Sequence, residues 1–331
     1  GAVKAYQFAD GRSVKMSYNP LKQLIQMEDW LGITKIKPDK MGRPEMVTDS
    51  ENKTISYEWG ERGERRSMVY PDGLEISYEY DESMRLSKCN VGGDTVSYSY
   101  YPSGKLKEKH LPDEGSILYQ YNPAGMISQI LHKKGGELVD CLTYGYDKNN
   151  HKTQIVRERS GMEDNGIYQY HYNNVGSLTS VWKNGREEET YNYDLFGNRI
   201  FSKVGGNEAS YAYNRLNQLV AMKDKDGEHA FSYDLRGNLV MEQVNGAVAR
   251  SLKFNAQGLL ESVKRAGQTA SYQYNGFGDQ VRRSVSDEGT ILKESYYQYD
   301  ITKRANNLIS VEEKEDRRNL VWDGGLLAGV G

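Results

Sequence analysis

The chain has 331 residues, with 43 Lys and Arg against 46 Asp and Glu and a net charge of −3. That balance excludes the basic footprint of a nucleic-acid binder or a polybasic membrane segment. Hydrophobic residues make up 37% and mean hydropathy is −0.78, too lean for a thick two-layer core, yet 11% aromatic content sets the chain apart from disordered sequences.

Tyr outnumbers Phe by 26 to 6. A deep core accepts Phe, whereas a Tyr hydroxyl needs water or a polar partner, so the aromatic positions are expected in a layer with a wet edge. No apolar run approaches the ~20 residues of a membrane span, and no basic-plus-apolar leader is present. The chain starts at Gly1, in the middle of a repeat, and reads as a piece of a longer protein.

The repeat runs from one end to the other. An anchor residue recurs at Tyr18, Pro38, Trp59, Tyr80, Tyr100, Tyr121, Tyr146, Tyr172, Tyr193, Tyr213, Tyr233, Phe254, Tyr274 and Tyr299, and ten of the 13 intervals are 20 or 21 residues. Trp322 looks like a truncated further copy. Two residues before each anchor stands another apolar or aromatic residue, as in Tyr191, Tyr211 and Tyr272. A spacing of two places both side chains on one face of a strand. The position after the anchor is Asp or Asn in 12 of 14 copies, as in Asp194, Asn214 and Asp234, and the fourth position after it is Gly or Asn in 11, as in Gly197, Gly237 and Gly278. An Asp or Asn side chain opens a tight turn by accepting backbone N–H bonds, and Gly supplies the left-handed residue that closes it. A return strand and a second turn complete each unit of about twenty residues, the pattern of a β-hairpin.

The expected architecture is all-β: tandem antiparallel hairpins forming one spiralling, curved sheet, stabilised by neighbouring Tyr ladders. The whole chain, 1–331, is expected to be a single array. Residues 1–70 hold more divergent repeats, 71–301 regular ones and 302–331 a terminal partial copy. The charged stretch from Thr302 to Asn319 suits a short helix or a hairpin arm, with the hairpin favoured. The long intervals around His151 to Tyr168 provide extended arms, the place where a binding site would break the repeat.

Tyr-Asp-x-x-Gly-Asn/Arg at this spacing resembles the YD repeats of Rhs proteins; YDLFGNRI (193–200) and YDLRGNLV (233–240) come close to the consensus. The signature residues are Tyr191, Tyr193, Asp194, Gly197, Tyr211, Tyr213, Asn214, Tyr233, Asp234, Gly237, Tyr272, Tyr274 and Gly278. The resemblance implies a structural shell wall, secreted or at the cell surface, that encapsulates or presents a C-terminal toxin or effector domain of the same parent protein. The core-closing Pro- and Gly-containing segment and cleavage site of that family are not found here. The alternative is a surface adhesion module that binds glycan or protein through its long loops; neither reading involves nucleic acid or a membrane span.

No catalytic or cofactor site is expected. His110, His132, His151, His171 and His229 are scattered without metal-ligand spacing. Asp224-Lys225-Asp226-Gly227 has the look of a calcium loop but lacks the later acidic ligand and falls where a hairpin turn is due. Cys89 and Cys141 have no partner motif and read as small half-buried residues, with a disulfide between them left open.

Overall fold

The computed structural model describes residues 2–303, 307–314, 316–323 and 326–330, with side chains described as far as Trp322. Among the described residues there are 31 strands and no helix. Every described strand pairing is antiparallel and joins chain neighbours, such as Arg186–Tyr193 with Arg199–Val204 and the latter with Asn207–Tyr213. The ambiguous stretch near the end is a hairpin: Leu308–Glu313 pairs with Asp316–Asp323 through Ser310↔Asn319 and Val311↔Arg318.

Every described strand pairing at an anchor carries a bulge. Tyr193 pairs with Arg199 while Asn192 pairs with Phe201, so Ile200 is the extra residue, and the same shift recurs at Tyr18, Tyr100, Tyr121, Tyr213 and Tyr274. Bulges increase local twist and bend the strand that carries them. One per repeat makes the bend systematic.

Internal contacts divide the chain into two compact units. One comprises Gly1–Tyr78, Ser232–Gln243 and Val248–Gly331; the other comprises Glu79–Phe231 and Val244–Ala247.

The first unit contains a packed core, although so lean a composition suggested a sheet one layer thick. Val14, Met27, Ile76, Met68, Ile309 and Val321 are all at most 1% exposed there. The divergent N-terminal repeats face the last repeats, and hydrogen bonds span roughly the length of the chain: Tyr6 to the Gly276 carbonyl, Trp30 to the Tyr274 carbonyl and Tyr70 to the Leu320 carbonyl. Loss of Tyr in residues 1–70 is therefore a change of surroundings. Side chains covered by another layer need no hydroxyl, and Met, Ile and Val fill dry space better.

The buried row has a second member that the strand pattern did not reveal. In repeat after repeat the residue nine after the anchor pairs across the hairpin with the residue two before it: Met27 with Met16, Val47 with Ile36, Met68 with Tyr57 and Ser202 with Tyr191. In the first repeats this position is Met27, Val47 and Met68, all buried. Later copies have Lys109 and Ser202, buried but polar.

In the second unit the fully apolar buried set is smaller: Cys89, Val91, Val96, Cys141, Val181 and Tyr191. Both cysteines are buried and unbridged.

Candidate functional site

The Asp or Asn turn that closes most repeats is a saturated hydrogen-bond device. In the 193 copy, Asp194 N–H donates to the Asn198 carbonyl at 2.9 Å and Gly197 N–H to the Asp194 carbonyl at 3.2 Å. The Asp194 carboxylate accepts the Phe196 and Asn198 N–H groups at 2.9 and 2.8 Å and the Asn198 side-chain amide at 2.9 Å. Asn214 and Asp234 repeat the arrangement. Gly197, Gly237 and Gly278 have φ of 83°, 86° and 89°, in the left-handed region. The side-chain bond from Asn198, followed by the backbone N–H bonds, holds the Asp194 carboxyl below its ordinary range, and Asp234 behaves alike.

The anchor ring then links one repeat to the one before it. The Tyr193 hydroxyl donates to the Leu178 carbonyl at 2.8 Å, Tyr213 to Arg199 at 3.0 Å and Tyr274 to Leu260 at 2.9 Å. The acceptor is always the residue just past the previous turn, and the same bond forms from Tyr100, Tyr121, Tyr146 and Tyr172. Trp59 and Trp322 reproduce it with the indole N–H, to Pro44 at 2.7 Å and Leu308 at 2.6 Å. The acceptor carbonyl lies where the ladder has run out: pairing between the strands at Arg199 and Tyr213 begins only at Phe201↔Ser210. A backbone acceptor there must find another donor or water, and the ring supplies one. This accounts for the excess of Tyr over Phe.

A second recurring contact lies on the ring face. The residue five after one anchor sits over the next anchor: Arg43 over Trp59 at 5.5 Å, Arg85 over Tyr100 at 4.6 Å and Lys105 over Tyr121 at 4.9 Å. His151 stacks on Tyr172 at 4.9 Å. The expected ring-on-ring ladder is thus replaced by cation–ring and hydroxyl–carbonyl contacts. Successive anchors are two strands, about 9.6 Å, apart, beyond the roughly 4.5–7 Å at which rings interact. The remaining signature residues lie on the same face: Tyr211 meets Ser202 at 2.9 Å, and the Tyr191 hydroxyl donates to the Glu189 carboxylate. Burial first, then Glu189, pushes the Tyr191 hydroxyl up to about 12. Tyr272 pairs with Arg283 across its hairpin, and Tyr233 ends the strand Gly227–Tyr233.

In the first unit one turn Asp has a further task. Asp300, 2% exposed, accepts from Arg65 at 2.8 Å, from the Tyr57 hydroxyl at 3.1 Å and from the Thr302 hydroxyl at 2.6 Å. Burial, then the Asp300 charge, raises the Tyr57 hydroxyl far above its ordinary value. Around this pair, Lys53 meets Glu312 at 2.9 Å and Asp72 meets Asn319 at 2.7 Å. Sequence reading missed this set because partners some 240 residues apart leave no local signal.

The long arms gather Asp140, Arg157, Arg159 and Asp164. Arg159 lies 2.9 Å from Asp140 and Arg157 lies 2.7 Å from Asp164. Burial works to raise the Asp140 carboxyl, but its bonds from Arg159 and Arg157 outweigh that and hold it low. The histidines do not converge: His171 meets Trp182 edge-on, and His229 lies 3.2 Å from Asp224. Asp224 opens a hairpin turn by accepting the Asp226 N–H at 2.8 Å. Among the described residues no three metal-ligating side chains cluster.

Residues 142–304 match the Teneurin YD-shell family. Over 92% of its length the chain is 24% identical to the tRNA3(Ser)-specific nuclease WapA of Bacillus spizizenii, and to the tRNA nuclease WapA of Bacillus subtilis. Teneurin-1 of Gallus gallus is 24% identical over 46% of this chain. The fold is shared with a solved TcdB2-TccC3-TEV structure at TM-score 0.59 and 12% identity, covering 96% of this chain. It is shared with a Photorhabdus luminescens Tc holotoxin pore at TM-score 0.58 and 11% identity, covering 93%. The chain spans 13% of the length of the WapA relatives and 18–19% of those solved chains. Repeat chemistry, family match and shared fold agree: residues 142–304 carry the teneurin YD-shell match, and the chain as a whole is similar to YD-repeat shells of the Rhs and teneurin type.

Proposed function

We propose that this chain is a length of shell wall, secreted or displayed at a cell surface, that encapsulates or presents a toxin or effector domain carried C-terminally in the same parent protein. The observation that carries the reading is the interlock itself. Turn carboxylates such as that of Asp194 are consumed by their own turn, and anchor hydroxyls such as that of Tyr193 by the preceding repeat. The repeat spends its polar groups on continuity, which is what a wall requires and a catalytic site does not. The WapA relatives are named as tRNA nucleases, and the aligned region is a small part of their length. That is consistent with a wall accompanying an enzymatic domain rather than being one.

The test uses the parent gene. Its sequence beyond the codon for Gly331 is expected to encode a variable domain, and that domain is expected to resist protease in the intact product until the array is opened by denaturant. A parent product with no such domain, or one in which it is cut at the same rate as the isolated domain, would overturn the proposal.

A further inference from the structure

The two positions at the apex of each turn, second and third after the anchor, change character along the chain. The five turns from Trp59 to Tyr146 carry no large apolar side chain there, as in Glu61-Arg62 and Lys148-Asn149. From Tyr172 onward every turn but the one after Phe254 carries one. Val175, Leu195, Phe196, Leu216 and Leu235 are each at least 78% exposed. Successive turns lie two strands, about 9.6 Å, apart, so Val175 to Leu216 form one row in the second unit. Single exposed apolar residues are ordinary, whereas a contiguous row of them marks a contact surface.

Two later turns, within the first unit, show what covers such an apex. After Tyr274 the apex is Gly276-Phe277. The Trp30 indole donates to the Tyr274 carbonyl at 2.9 Å and the Tyr6 hydroxyl to the Gly276 carbonyl at 2.7 Å. Gly276 N–H donates to the Asp29 carboxylate at 2.5 Å. Phe277, only 38% exposed, shares a small cavity of about 50 Å³ with Thr34, Val47 and Ile55. After Tyr299, Asp300 and Thr302 meet Arg65 at 2.8 and 2.5 Å, and Ile301 is half-buried. The cover in both cases is an earlier repeat of the same array, and it keeps order. Tyr274, the thirteenth anchor, meets the repeat of the first, Tyr18; Tyr299, the fourteenth, meets that of the third, Trp59.

We propose that the apolar apexes from Val175 to Leu235 are a docking surface for further repeats of the array, encoded in the parent protein before Gly1. They belong to the eighth to eleventh anchors, Tyr172 to Tyr233. Counted back by the same interval of eleven or twelve anchors, their cover falls before Tyr18. The docking edge would present what the first repeats present to the Tyr274 turn. That is an indole or phenol for the turn carbonyls, a carboxylate for an apex N–H and apolar side chains for Leu and Phe. A second copy of this chain cannot offer its first repeats in this way, because its own Tyr274 and Tyr299 turns occupy them. The contact stands whatever the array encloses.

The test compares the 331-residue chain with the parent protein by hydroxyl-radical footprinting, which needs no substitution. Leu195, Phe196 and Leu216 are expected to react roughly tenfold more slowly in the parent, where reaction requires local opening. Leu195→Asp with Leu216→Asp is expected to leave the melting curve of the 331-residue chain unchanged and to lower that of the parent. Equal reaction rates in the two proteins would overturn the proposal, as would a parent gene without array repeats upstream of Gly1. Protection that survives deletion of those repeats would assign the row to another occupant and sink the idea. Concentration-dependent protection in the 331-residue chain would do the same, in favour of a second copy.

Discussion

Arg65 and Asp300 lie 2.8 Å apart, with side chains only 11% and 3% exposed, at opposite ends of the sequence. Burial opposes the Arg65 charge, but Asp300 outweighs it and raises the guanidinium further above its ordinary value. Removing one partner of such a pair leaves the other charge buried alone, which costs about 3–5 kcal/mol. Arg65→Met is therefore expected to lower stability strongly in urea unfolding. Arg65→Met with Asp300→Leu is expected to recover most of the loss, because two apolar residues of similar volume often replace a buried pair without penalty.

The ring-to-carbonyl bond predicts a graded series. Tyr121→Phe, Tyr193→Phe and Tyr213→Phe each remove one hydrogen bond and keep the packing, so each is expected to cost about 0.5–1.5 kcal/mol. The converse applies at Phe254, an anchor without a hydroxyl; Phe254→Tyr is expected to gain about as much by reaching toward the Leu239 carbonyl. Denaturant midpoints check both directions.

Met84 occupies a turn position usually held by Gly or Asn, with φ of 61°. Met84→Gly is expected to raise stability by up to about 1 kcal/mol, since a side chain in the left-handed region is strained. Gly237→Ala, at φ 86°, is expected to lower it by a similar or larger amount. Thermal melts of the two variants should move in opposite directions.

Gly276 is glycine for want of space. A Cβ there would lie 2.9 Å from Met27 Sδ and 3.0 Å from Val14 Cγ2, both in fully buried side chains. Gly276→Ala is expected to cost about 1–3 kcal/mol as the core yields. Combining it with Met27→Ala should recover part of that loss, measurable as non-additivity in a double-mutant cycle.

The pH dependence has two limbs. Asp81, Asp194 and Asp234 are held below their ordinary 3.8 by turn bonds. Their contribution is present above that value and lost as pH falls through the lowered one. Stability should therefore decline below about pH 4, and Asp→Asn at all three should flatten that limb while keeping the turns, as Asn214 does naturally. The anchors Tyr121, Tyr172 and Tyr274 are raised above 10.0, chiefly by burial. Their contribution is present below that value and lost as pH rises through the raised one, so a second decline should begin above about pH 10. Melting curves across both limbs test the signs.

Local chemistry made the hairpin legible. Asp194, Gly197 and the pair Tyr191 and Tyr193 act within one repeat, so their spacing states their roles directly. The Tyr excess pointed to a wet edge, but its actual partner, a carbonyl some 15 residues back, depends on where the bulge ends the ladder. The core of the first unit was illegible for a similar reason. Met27 and Met68 look like ordinary strand residues until another layer covers them.

The sequence by itself determined the repeat: strand, Asp or Asn turn, left-handed Gly and anchor ring, each set by interactions within about twenty residues. Only the tertiary structure decided what the ends do, pairing Arg65 with Asp300 and seating Gly276 against Val14 and Met27. Local periodicity encodes how the chain continues; it carries no information about which distant repeats meet, because those contacts join side chains some 240 residues apart.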